Sequence, residues 1–162
     1  MSNPYTGQVA SALRKAQLLL QMTCETPLQR TALEEGVILQ LWKAYKAFLA
    51  ELSHQLQLDI EPESLQIIAD SLEAQGRASN EVKELQQLGS ESDTWLSQLL
   101  LIWSRLLSLS PSPEPIRKGA NLIPLHNVAS PVPLVVSAEV LQEWHAALSE
   151  LVHRQRANLE EC

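Results

Sequence analysis

Between Pro27 and Gln57 the chain runs without a further proline, and apolar side chains recur there every three or four residues: Ile38, Leu41, Trp42, Tyr45, Phe48, Leu49, Leu52 and Leu56. That spacing lines them along one side of a helix. A helix of about thirty residues, roughly 45 Å long, needs neighbours of similar reach to cover such a stripe. Its start is signalled by TPLQ at 26–29, where Thr26 caps, Pro27 fits the first helical position and Gln29 completes a capping box. Gly36 sits inside it and marks a bend or a close helix crossing.

The rest of the chain repeats the pattern in shorter pieces. A first helix is expected over about residues 4–22, with Tyr5, Val9, Ala12, Leu13, Ala16 and Leu20 inward and Leu18 pointing the other way. DIEPES restarts the chain with Pro62 just inside a helix that ends before Gly76, its inner face being Leu65, Ile68, Ala69 and Leu72. A short helix follows at about 80–88, closed by Gly89. SESD at 90–93 reads as the acidic start of a helix at about 91–109, in which Trp95, Leu96, Leu99, Leu100, Ile102, Trp103, Leu106 and Leu107 cover nearly half the circumference. So broad an apolar face predicts a helix packed on two sides near the centre of the fold. Ser137 caps a last helix reaching about residue 159, with a stripe of Val140, Leu141, Trp144, Leu148, Leu151 and Val152.

Residues 110–136, SPSPEPIRKGANLIPLHNVASPVPLVV, hold six prolines and cannot continue a helix. From Asn121 onward the segment is aliphatic, and leaving those side chains in water costs roughly 1.5 kcal/mol or more each relative to burial. An ordered, extended strap against the helices is therefore expected at about 121–136, with 110–119 the polar, looser half. The fold class that follows is all-α: a helical bundle of four main amphipathic helices plus a short helical pair, with a proline-rich extended strap before the last helix. One domain over 1–162 is expected from the length.

Net charge is −7, and residues 58–110 carry most of it, with three Lys/Arg against nine Asp/Glu. An acidic middle repels phosphate, so nucleic-acid binding is disfavoured. No apolar run approaches a membrane span, and the N-terminal residues lack the basic start and apolar run of a signal peptide. Cys24 and Cys162 make no disulfide framework, which with the foregoing points to the cytoplasm.

The sharpest candidate for chemistry is a pair of E-x-x-H motifs, Glu51 to His54 and Glu150 to His153. Two such motifs, with single glutamates from two further helices, build a di-iron site. On the helical wheel, however, both motifs fall on the side opposite the apolar stripes, facing solvent. His126 and His145 have no second ligand at metal spacing. No nucleophile elbow or phosphate-binding glycine loop occurs. No catalytic residue, metal site or cofactor is assigned.

The opening MSNPYTGQVASALRKAQLLL and the loop NLIPLHNVASPVPLVV resemble a family of small, uncharacterised, all-helical proteobacterial proteins. The resemblance implies a helical bacterial protein and carries no activity, ligand or site residue. Two functional readings stand. The first is a non-enzymatic helical protein acting through protein contacts, by self-association or with another partner, and involving Leu18 and Leu101, which are apolar on the outer sides of their helices. The alternative is a small-molecule binding module or enzyme, with an apolar pocket between the helices and the strap lined by Trp42, Trp95, Trp103 and Trp144 and with His126 or Asn127 at its mouth.

Overall fold

A computed structural model describes residues 3–108 and 136–160. Six helices account for 77% of these residues, and there is no strand among them. They are α1 (Thr6–Leu20), α2 (Pro27–Gln55), α3 (Leu65–Ala74), α4 (Asn80–Ser90), α5 (Trp95–Leu107) and α6 (Ala138–Glu160). The expected strap and the polar stretch before it lie outside the described residues. Val136, the last residue of that segment, is described; it is half-buried and packs on the core.

α2 is the axis of the fold, since α1, α5 and α6 all pack on it. Contacts fix their directions. Thr6 meets Glu51, and a Cβ on Gly36 would stand 3.2 Å from a Leu19 methyl, so α1 runs antiparallel to α2 at close approach. Trp103 stacks on Trp42, while Leu100 shares a groove with Tyr45 and Leu49, so α5 is also antiparallel. Arg156 reaches Glu51, and Leu141 lines a pit with Val37, so α6 runs parallel to α2. One apolar core takes residues from all six helices, among them Val9, Leu41, Phe48, Ile68, Leu85, Leu99 and Leu148. The centre expected at the fifth helix is thus held by α2; α5 packs against α2, α4 and α6 but leaves Leu101, Leu106 and Leu107 exposed.

The helix ends explain where the sequence pattern stops. Thr26 and Gln29 form the reciprocal capping box, with Pro27 opening α2. Gly76 adopts φ +64 just past α3, its N–H donating to the Glu73 carbonyl and that of Arg77 to the Leu72 carbonyl, the double closure that a left-handed residue permits. Ser137 Oγ accepts from the Val140 N–H at 3.4 Å at the head of α6. Three expected boundaries move. Pro62 lies before α3, which starts after Ser64. Gly89 is inside α4 rather than closing it. α5 starts after Thr94, whose hydroxyl accepts from the Ser97 N–H, so the acidic SESD stretch precedes the helix instead of opening it. Hydroxyl caps beat acidic composition because they satisfy a specific orphan amide.

α2 ends in the same double closure as α3, with Gln57 at φ 55 and with Gln57 and Leu58 donating to the His54 and Ser53 carbonyls. Ser53 Oγ donates to the Ile60 carbonyl at 3.1 Å and holds the turn from inside. A β-carbon is unfavourable in this backbone conformation, and the side chain of Gln57 is exposed. Gln57→Gly should raise stability by about 0.5–1 kcal/mol, read as a higher urea midpoint at unchanged slope.

Candidate functional site

Three places gather polar side chains: a groove on one side of α2, an ion pair at its C-terminal end, and the scattered histidines.

The groove measures about 590 Å³ and lies between α2, the start of α3, the last turn of α4, and α5. α2 contributes Trp42, Tyr45, Lys46 and Leu49, one wall at helical spacing. Behind Trp42 lies Trp103, with ring centres 4.3 Å apart and planes 17° from parallel. Lys46 Nζ donates to the Pro62 carbonyl at 3.1 Å and to the Glu63 carbonyl, which pins the turn leading into α3. At the head of that helix Ser64 makes no side-chain cap. Tyr45 is only 4% exposed, and its hydroxyl makes no hydrogen bond to a described residue, yet it is not among the polar atoms sealed from water without a partner, which are Gln40 Oε1 and Gln155 Oε1. Burial pushes its phenol up to about 12.

Of the four tryptophans named from the sequence, Trp42 and Trp103 come together, and Trp42 lines the groove. Trp95 and Trp103 are half-buried against the core, and Trp144 is buried within it. His126 and Asn127 lie outside the described residues. Nothing in the sequence pattern singles out Tyr45, Lys46 or Ser64. Tyr45 looked like one more member of the α2 stripe, and a lysine one residue later gives no hint that it reaches a turn sixteen residues away.

The E-x-x-H reading needs one correction. His54, Glu150 and His153 are exposed, as the helical wheel expects, but Glu51 is 1% exposed. Its carboxylate accepts from Arg156 Nε and from one terminal Arg156 nitrogen, both at 2.8 Å, and from Thr6 Oγ1 at 3.0 Å. Asn3 Nδ2 donates to its backbone carbonyl at 2.8 Å. The wheel failed because α2 is enclosed on more than one side at this end; Glu51, Leu52 and Ser53 are buried in succession. Among the described residues no three His, Cys, Asp or Glu side chains are grouped to hold a metal. His145 is used structurally: its Nε2 donates to the Leu13 carbonyl at 3.0 Å across the α1–α6 contact. Cys24 is half-buried in the turn between α1 and α2, beside Arg30.

The pattern of this ion pair differs from a surface salt bridge. Glu51 is sealed, whereas the Arg156 side chain keeps 26% exposure. Losing the arginine strands a carboxylate in the interior, while losing the carboxylate lets the arginine turn to water. Arg156→Met should therefore cost about 3 kcal/mol and Glu51→Gln distinctly less, measured by urea unfolding of both variants.

The sequence now has a family. The chain belongs to the DUF6586 family of unknown function, whose model matches residues 1–162. No curated protein and no solved structure matches it. Among the described residues no helix is long and apolar enough to cross a membrane.

Tyr45 supplies a pH test of the buried site. Its folded value lies above the ordinary 10.0, so the stability tied to its neutral form is present below that value and lost as pH rises through about 12. In an alkaline spectroscopic titration the Tyr45 phenol should ionise late, together with unfolding; Tyr45→Phe should remove that phase.

Proposed function

We propose that this protein is a non-enzymatic helical bundle that acts through protein contacts, its docking surface being the outer side of α5 and its first partner a second copy of the chain. The observation that carries the reading is the composition of α5. Arg105 is the one charged residue in WLSQLLLIWSRLL, in a chain of net charge −7. A helix apolar on nearly every side is normally buried. Here Leu101 is 45% and Leu107 66% exposed, with Leu106 exposed beside them. Exposed leucines spread around the outer part of a weakly charged helix suit an isologous contact, in which the same patch meets itself.

In this reading α1, α2, α5 and α6 are the four main helices of the bundle, and the proline-rich segment straps them before α6. The side chains with chemical potential support a structural role: Glu51 is in an ion pair, Ser53 holds a turn and His145 ties α6 to α1. Leu18, 48% exposed, is on α1, which packs on α2 and α6 and not substantially on α5, so it belongs to a separate surface.

Light scattering tests the proposal. Leu101→Glu should shift the species toward monomer with helicity by circular dichroism intact, and Leu18→Glu should shift it less. An unmutated protein that is already monomeric at high concentration sinks the self-association.

A further inference from the structure

The groove beside Trp42 has the makings of an anion site with an apolar bed, independent of what α5 docks. α3 begins there with no side chain capping its first-turn amides, and those amides form the positive end of the helix. A helix start of this kind attracts negative charge, yet the nearest charged group held by hydrogen bonds is the Lys46 ammonium. Among the described residues Lys46 has no carboxylate partner within salt-bridge distance. Two positive groups thus share one corner of the groove. Glu63 also lines it, but its side chain is exposed at the mouth, where water screens it.

A second observation is independent of the helix end. Tyr45 is buried on the groove wall with a hydroxyl that has no partner among the described residues. The hydroxyl is not sealed from water, so a ligand oxygen in the groove would take the place of solvent at it. Its high pKa keeps it a neutral donor throughout the physiological range. Trp42, Leu49, Leu65 and Leu100 supply the apolar bed, and the Trp42–Trp103 stack holds the indole in place.

We propose that this groove binds a small amphipathic carboxylate, its apolar body on Trp42 and Leu100 and its carboxylate taken by Lys46, the first amides of α3 and the Tyr45 hydroxyl. The pairing follows from convergence: one ammonium, one helix start and one phenol each offer a donor beside the apolar bed, with Gln66, Gln86, Gln87 and Ser90 completing the lining.

The test uses naphthoate and its neutral isostere naphthamide, followed in two-dimensional amide spectra of the isotope-labelled full chain. Naphthoate should shift the Leu65 and Gln66 amides and the Trp42 indole in a saturable way. Naphthamide should bind roughly tenfold more weakly, the worth of one charge-assisted contact. Tyr45→Phe keeps the ring and should weaken naphthoate binding about fivefold. Ser64→Asp separates binding from folding. An aspartate at the cap satisfies the α3 amides itself, so this variant should be at least as stable as the parent and yet lose naphthoate binding. Equal binding of the acid and the amide, unchanged binding in Ser64→Asp, or shifts confined to residues outside the groove would overturn the assignment.

Discussion

The fold depends on the burial of one long helix. α2 has 29 residues, and its apolar positions fill more of the circumference than one neighbour can cover. Its partners divide the work: α1 packs along it, α5 covers a second side and α6 a third. α3 and α4 are fastened to this group through α5 and the core rather than by long contacts of their own. Where α2 is most enclosed, at Glu51 to Ser53, even the polar residues are buried, and each has its hydrogen-bond partners. Burial at that end is affordable only because the carboxylate meets a guanidinium in fork geometry.

Much of this architecture was legible in the residues because it is local. A threonine, a proline and a glutamine at fixed spacing open α2; a glycine at φ +64 closes α3; Gly36 marks the close crossing with α1. These are short-range rules of backbone satisfaction, and they do not depend on distant chain. The misreadings have the opposite character. Gly89 has the pattern of a stop, but it lies in open space within α4, and a helix tolerates it there. An average over the whole stripe puts Glu51 in solvent because it hides the wider buried arc at one end. The groove was invisible since its corner joins Lys46 to carbonyls of Pro62 and Glu63, and only the turn before α3 brings them together.

The groove and the outer surface of α5 adjoin along one helix. Leu100 faces the groove and Leu101 the outside, consecutive residues about 100° apart around one helix. The Trp42–Trp103 stack lies on the inner side, opposite Leu101, where it holds α5 against α2. Close-packed aromatic contacts of this kind have few alternative arrangements.

The Glu51–Arg156 pair also implies an order of assembly. α1 and α2 are joined by a short turn and pack over most of α1, so their contacts close small loops and form early. The arginine that neutralises Glu51 arrives from 105 residues further along the chain. Until α6 docks, the α1–α2 hairpin carries a carboxylate on a surface destined for the interior, and water must solvate it there. The last helix therefore does more than cover apolar surface: its arrival discharges the end of the hairpin and lets it close. A chain interrupted before Arg156 would leave that carboxylate without its counter-charge, and the end of α2 would have to stay hydrated.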